Sequence, residues 1–248
     1  MRSTERRTRG IWMIALIIML LGMSSLAVDF DHTHKLYDSV LKAHVVNGLV
    51  NYNTLKSDSK ALDQYLADVS AVSEVTFKSW DEPRRIAFLA NLYNASTLRM
   101  ILDNYPVKSI KDIGTWRKGP WDQPVVRLFA KKITLNNLEH DILRKEYKEP
   151  RLHLALVCAA KGCPPLRSEA YTWKRLGKQL DDQARVYLAS PAGLVINRKK
   201  GIASISSIFK WYGKDFSSVP SFVEKYSKES TKQLKIRYLD YDWSLNGK

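Results

Sequence analysis

The sequence predicts a helix-rich α+β fold in a single domain. Long segments carry apolar residues at helical spacing, whereas the short apolar segments come in neighbouring pairs joined by turns, as in antiparallel hairpins. The chain does not alternate strands with helices in the manner of a parallel sheet. After the N-terminus, no internal repeat, low-complexity tract or long Gly/Ser linker divides it, and its length suffices for one domain with a substantial core.

The first 27 residues have the composition of a secretory signal peptide. Four arginines among the first nine residues precede an uncharged apolar run of 18 residues from Ile11 to Val28, and Ser25-Leu26-Ala27 offers small residues for cleavage. The alternative is a retained N-terminal anchor, because a membrane helix needs about 20 apolar residues. In both cases the arginines hold the N-terminus in the cytoplasm. We therefore predict an exported, periplasmic protein with one domain over 28–248.

Helices are predicted wherever apolar residues share one face of a helical wheel. The longest begins with Ser79 as N-cap and Glu82 at the capping-box position, and it ends before Pro106. The predicted helices have the approximate ranges 30–44, 55–69, 79–104, 135–147, 171–189, 206–212 and 220–228.

Short apolar segments between turn residues predict the strands. The clearest hairpin turns at Arg198-Lys-Lys-Gly201, with its glycine last. The predicted strands and extended pieces are 50–52, 125–129, 132–134, 194–197, 202–205 and 235–241.

The basic composition restricts the expected partners. The formal net charge is +15, and removal of residues 1–27 takes away four Arg and one Glu, which leaves +12. Outside the cytoplasm we expect no nucleic acid as partner, and an anionic envelope polymer, the membrane surface or a partner protein is favoured instead. Many basic residues lie in dispersed pairs such as Lys131-Lys132, so a solvated surface is the alternative.

The segment Arg151–Arg167 holds both cysteines and the last of the five histidines. As a nucleophile, a cysteine needs a lowered pKa and a base within hydrogen-bond reach. Cys163 precedes two prolines and is predicted to cap a short helix, whereas Cys158 ends a buried-looking run. His153 would point away from Cys158 in either a strand or a helix. His140 is therefore the better base candidate.

Other residues extend this candidate site. Glu139 or an asparagine would orient the imidazole, and Asn91 and Asn94 share one face of the longest helix. The two asparagines would either serve an oxyanion or hydrogen-bond backbone groups in the core. The candidate catalytic residues are Cys163, Cys158, His140, Glu139, His153 and Asn94.

Two further uses of the cysteines remain open. An even cysteine count in an exported chain favours a disulfide, if the backbone brings the two Cα atoms within about 7 Å. Zinc would accept the same Cys, His and Glu side chains, but no recognised ligand spacing is present, so no metal site is predicted. No cofactor is predicted either, because phosphate-loop and dinucleotide signatures are absent. The histidines at positions 32, 34 and 44 are expected to be solvated on a helix surface.

Five ordered motifs resemble the family called domain of unknown function 547. The motifs are Ala87-Phe-Leu-Ala-Asn91-Leu-Tyr-Asn94-Ala, Leu138-Glu139-His140-Asp-Ile-Leu-Arg144, the segment from His153 to Pro165, Ile208-Phe-Lys-Trp-Tyr-Gly-Lys-Asp-Phe216 and Tyr241-Asp-Trp-Ser-Leu-Asn246. The resemblance covers roughly Leu36 to Asn246. It implies a fold and a set of candidate residues without a settled reaction, and it leaves room for a distant papain- or transglutaminase-like relationship.

Chain order limits that relationship. Papain-like enzymes place the nucleophilic cysteine before the histidine, whereas every histidine here precedes Cys158. Only a permuted or convergent arrangement would therefore work. Whether the protein is an enzyme stays open. The default hypothesis is a non-catalytic binding or structural domain of the cell envelope with oxidised cysteines. The alternative is a cysteine-dependent hydrolase or transferase that uses Cys163 or Cys158 with His140.

Overall fold

The structure, a computed structural model, describes residues 29–248. The predicted signal peptide, residues 1–27, lies outside the described residues. No helix in the described part of the chain is long and apolar enough to cross a membrane.

Helices form most of the regular structure, as the sequence predicts. One segment of π-helix, Asn137–Leu143, continues directly into a short α-helix, so the predicted helix over 135–147 is present in a widened form. The α-helices within residues 29–248 are α1 (Lys35–His44), α2 (Tyr52–Ser57), α3 (Lys60–Ala71), α4 (Glu74–Ser79), α5 (Glu82–Asn104), α6 (Arg144–Glu146), α7 (Leu176–Leu188), α8 (Ile208–Trp211) and α9 (Val219–Ser227).

The strands are short and form small sheets, which confirms the α+β class. Three pairs are antiparallel, but the last strand pairs in parallel with its neighbour, Ile202 opposite Lys235, which the hairpin pattern did not predict. The strands are β1 (Val45–Val46) with β2 (Leu49–Val50), β3 (Val126–Leu128) with β4 (Lys131–Ile133), and the three-stranded sheet of β5 (Leu194–Asn197), β6 (Ile202–Ile205) and β7 (Lys235–Tyr238).

Several helix boundaries differ from the predicted ones because polar side chains cap the helices at other residues. The Asn51 side chain accepts a hydrogen bond from the Thr54 N–H, so α2 begins at Tyr52, where an extended piece was predicted. The chain leaves the helix at Asp58, which divides the helix predicted over 55–69 in two. Asp81, not Ser79, caps α5, because its carboxylate accepts from the Arg84 N–H.

Helix α5 is the centre of the larger core. Its residues from Ile86 to Leu98 are all buried, so the helix is covered on every side. A second, smaller core lies among α7, α8, α9 and the sheet β5–β6–β7, around Tyr187 and Phe209. Residues of both cores contribute to the pocket described below.

Candidate functional site

The two buried asparagines of α5 each hold a distant piece of backbone. The Asn94 side chain donates to the Ala155 carbonyl at 3.0 Å and accepts from the Val157 N–H at 2.8 Å. In the same way, Asn91 donates to the Tyr171 carbonyl and accepts from the Tyr171 N–H. This anchored backbone keeps Tyr171 out of α7, which therefore begins at Leu176 instead of residue 171. Asn94 thus fixes the segment that leads into Cys158.

The C-terminal segment fixes the other end of the cysteine loop, which we define as residues 158–163. Lys161 and Gly162 donate their N–H groups to the carbonyls of Ser244 and Asp242 at 2.9 and 2.8 Å. The approach is close enough that a Cβ on Gly162 would lie 2.8 Å from the Asp242 nitrogen. No helix follows Cys163, so the predicted helix cap there is wrong: residues 164–167 have no regular secondary structure.

Cys158 and Cys163 form a disulfide across this loop. Their Cα atoms are 6.3 Å apart, inside the range that a disulfide requires. The Cys158 N–H donates to the Cys163 sulfur at 2.9 Å, and the Cys158 sulfur lies 3.3 Å from the Tyr241 hydroxyl. Loop closure is possible because the chain turns sharply at Ala159, whose φ of 56° is positive.

One pocket of about 260 Å³ contains both cysteines. Aromatic rings form much of its wall, and one carboxylate, two imidazoles and one amide are among its charged and polar groups. The lining residues are Tyr93, Trp121, Asn136, Glu139, His140, His153, Leu156, Cys158, Cys163, Ile208, Trp211, Tyr212, Tyr241 and Trp243.

Glu139 is a buried carboxylate in this wall, with 7% of its surface exposed. The Tyr93 hydroxyl donates to its Oε2 at 3.2 Å. Burial raises the pKa of the Tyr93 phenol, and the charge of Glu139 raises it further. The pKa of Tyr212 is raised by the same two causes in the same order. Both phenols therefore remain protonated hydrogen-bond donors at neutral pH.

His140 is the histidine expected to act as a base. Its Nδ1 lies 3.0 Å from the Arg144 guanidinium, which can only donate. Nδ1 is therefore the acceptor, and the imidazole proton is assigned to Nε2. Within residues 29–248, neither sulfur makes a hydrogen bond to His140 or to another histidine. The structure places His140 in the same pocket as the cysteines without a hydrogen bond to them.

His153 is tied to a carboxylate that the sequence reasoning did not identify. Its Nε2 lies 2.7 Å from Asp215 Oδ2, and its ring stacks on Tyr212 with centroids 4.1 Å apart. Arg144 forms a two-pronged ion pair with the same Asp215 at 2.7 and 3.0 Å. Burial lowers the pKa of His153, although the hydrogen bond to Asp215 opposes this shift. The hydrogen bond from Arg144 lowers the pKa of Asp215, so the carboxylate is ionised.

The structure brings five of the six predicted candidates into one pocket. Cys163, Cys158, His140, Glu139 and His153 line it, and Asn94 lies behind it as a support. Sequence reasoning missed Asp215 and Arg144, and it took Tyr241 and Trp243 for packing and hydrogen-bonding residues outside the site. All four lie in the motifs quoted above. Membership in those motifs could therefore have identified them as site residues, although their side-chain chemistry did not.

Side chains that could bind a metal do not form a ligand set in the described part of the chain. Within residues 29–248, no group of three or more His, Cys, Asp or Glu side chains is placed to hold a metal ion. The expectation of solvated N-terminal histidines is wrong for two of them. His34 is 1% exposed and His44 is 9% exposed, because their rings pack into the core and bond to Tyr65 and Thr54.

Comparison with known proteins identifies a family. A family profile described as "Protein of unknown function, DUF547" matches residues 77–188, which include α5, the cysteine loop and α7. Searches of curated proteins and of solved structures find no match. Residues 77–188 of this chain therefore match the DUF547 family of proteins of unknown function, the family that the ordered motifs resemble.

Proposed function

We propose that this protein is a non-catalytic binding domain whose ligand occupies the aromatic pocket. The observation that carries the proposal is the composition of the pocket wall, in which several aromatic rings surround one buried carboxylate. Small-molecule sites are typically concave and largely apolar, with few well-placed polar groups. The volume of about 260 Å³ suits a small ligand or the end of a longer one.

The contacts of the candidate catalytic residues support binding over catalysis. The two sulfurs are bonded to each other, so neither is a free nucleophile. His140 Nδ1 and His153 Nε2 are both engaged, by Arg144 and Asp215 respectively. A cysteine enzyme needs a free thiolate with an imidazole nitrogen in hydrogen-bond reach.

The proposal includes a location for the domain. The N-terminal composition supports export across the cytoplasmic membrane, with residues 1–27 as a cleaved signal peptide and 28–248 as the exported domain. An anchor retained at the N-terminus is the alternative. A disulfide between the only two cysteines fits an oxidising compartment such as the periplasm.

Three probes of similar shape test the binding site on the full chain. Benzoate, benzyl alcohol and benzylammonium carry different charges on the same ring, and NMR of the tryptophan indole groups would report their binding. We expect at least one probe to shift the signals of Trp121, Trp211 and Trp243. Trp211→Ala should weaken that binding, whereas Trp116→Ala, which removes a ring that is 87% exposed outside the pocket, should not. No shift with any probe up to its solubility limit would overturn the proposal.

A cysteine-dependent hydrolase or transferase is the second candidate, and one contact favours it. The Cys158 N–H points at the Cys163 sulfur, so reduction of the disulfide would leave a thiolate with a hydrogen-bond donor in a pocket that contains His140. Thiol counting by mass on protein taken from its native compartment separates the candidates. Two free thiols, one of which reacts fast and becomes slow in His140→Ala, would favour the enzyme.

A further inference from the structure

Glu139 has no cationic partner in the described part of the chain. Its Oε2 accepts the Tyr93 hydroxyl, and the Tyr212 hydroxyl is a second, neutral donor that faces the carboxylate. The nearest nitrogen able to carry charge is His140 Nδ1, 4.0 Å from Oε1, and that nitrogen already accepts from Arg144. A buried carboxylate is costly unless a charge or several hydrogen bonds compensate it. Oε1 is not sealed from solvent, so it can meet a ligand in the pocket.

The pocket is locally acidic in a strongly basic protein. Arg144 is the nearby guanidinium, but its ion pair with Asp215 neutralises it. Among residues 29–248, Glu139 is therefore left without a Lys or Arg ion-pair partner of its own, although the whole chain carries a formal net charge of +15. The basic surface of the protein would attract an anionic ligand, but Glu139 would repel that ligand inside the pocket.

The aromatic rings of the wall add a second attraction for positive charge. Trp211, Tyr241 and Trp243 pack against one another with centroids 4.6 to 5.9 Å apart. One face of the Trp243 ring already holds a cation, since Lys111 Nζ lies 3.9 Å from its centroid, so Trp211 and Tyr241 are the rings that a ligand cation would mainly contact. The faces of such rings attract cations, and the attraction increases when water is excluded. Tyr212 contributes less in this way, because His153 stacks on its ring.

We infer that the pocket selects an organic ammonium cation, with Glu139 Oε1 as the acceptor and the tryptophan and tyrosine rings as the walls. The inference rests on the proposed function and names the ligand class of that site. An alkylammonium group donates N–H to the Glu139 carboxylate, and its methylene groups contact the rings. The Glu139 carboxylate repels a ligand carboxylate. A neutral alcohol gains only the burial of its apolar surface against the rings.

Benzylammonium and benzyl alcohol test the inference on the wild-type chain at neutral pH. The two probes share a ring and a CH₂ group and differ in charge. We expect the ammonium to bind at least about tenfold more tightly, in line with a partly desolvated ion pair and cation–π contact. Glu139→Gln should reduce that preference to nearly none, because it retains the shape and removes the charge. Glu146→Gln is the matched control, since it removes an exposed carboxylate three residues beyond the π-helical segment.

Each outcome decides between the two proposals. Equal affinity for both probes, or tighter binding of benzoate, would overturn the ammonium inference while the binding site itself stands. No binding of any of the three probes would overturn the binding function as well. The wild-type comparison needs no variant, so the inference stays testable if Glu139→Gln fails to fold. Glu139→Asp then supplies the second variant, which keeps the charge and should keep the preference.

Discussion

Two groups of histidines lie among aromatic rings in different parts of the molecule. They differ in their charged partners and in their access to solvent. In the N-terminal aromatic cluster, Phe30 and Trp80 pack around His32, and Phe30 also packs against His34. In the pocket, His140 and His153 lie beside an ion pair and an opening. A histidine among aromatic rings does not by itself mark a site. The charged partners and the access to solvent separate the two groups.

The charge state of His34 gives the largest expected effect. Burial lowers the pKa of His34 to about 3, whereas an unfolded histidine titrates near 6.5. Below pH 6.5 the histidine binds a proton in the unfolded chain but stays neutral in the folded chain. The free energy of unfolding therefore decreases as the pH falls. The loss is about 1.4 kcal/mol per pH unit and reaches about 5 kcal/mol near pH 3.

Urea unfolding of wild type and His34→Gln between pH 7 and pH 4 measures this effect. The variant should lose less stability on acidification, and the difference between the two proteins isolates His34 from the carboxylates. His153→Gln is the comparison from the pocket. Its pH dependence should differ less from wild type, because Asp215 opposes the effect of burial. Parallel curves for wild type and His34→Gln would contradict a neutral buried imidazole.

Removal of the Asn94 amide should have the next largest effect, and it tests how the pocket is built. Asn94→Ala leaves the Val157 N–H and the Ala155 carbonyl unpaired in the core, at a cost of about 3 kcal/mol. Asn91→Ala removes the same kind of clamp from Tyr171 and should cost a similar amount. Only Asn94→Ala should also weaken probe binding. Equal loss of binding in both variants would mean a general loosening of the core.

Reduction of the disulfide should cost about 2 kcal/mol. The bridge closes a short loop with a sequence separation of five, so the entropy that it removes from the unfolded chain is small. Denaturant midpoints with and without reductant measure the cost. The double variant Cys158→Ala/Cys163→Ala should be insensitive to reductant. A reductant effect of similar size in that variant would show that the disulfide is not its source.

Asp215→Asn should give the smallest effect on stability. It breaks the ion pair with Arg144, but both side chains are about 30% exposed, so solvent screening limits the cost to about 1 kcal/mol. The pKa of His153 should fall further, since Asp215 is a group that raises it. Histidine NMR titration reads this directly. Asp141→Asn, which breaks an exposed pair with Lys145, should leave the pKa of His153 unchanged.

Local patterns predicted most elements well. The helix ending at Asn104, the hairpin at β3 and β4 and the hairpin at β5 and β6 appear where apolar periodicity and turn residues placed them. The errors lie where side chains bond to backbone. Asn51 and Asp81 moved helix starts, because capping energies of about 1 kcal/mol outweigh small differences in helix propensity.

The sequence predicted several residues of the candidate site but not how they are arranged. Glu139, His140, His153 and the two cysteines were chosen for their chemistry, and the fold places them around one pocket. Most of the aromatic wall was missed, because a tryptophan at the surface and one in the core look alike in a sequence. Asp215 was missed as well, since it lies 62 residues from its partner His153.

Composition and local patterns in the chain were enough to predict the helix-rich class, most element positions, the basic charge and a short set of reactive side chains. Each of these depends on residues close together in the chain. Long-range packing determined which histidines are sealed in the core, that the two sulfurs are bonded and that Glu139 has no Lys or Arg ion-pair partner within residues 29–248. Those facts depend on burial and on partners tens of residues away, and burial sets the cost of a charge. The proposed ammonium ligand follows from that cost.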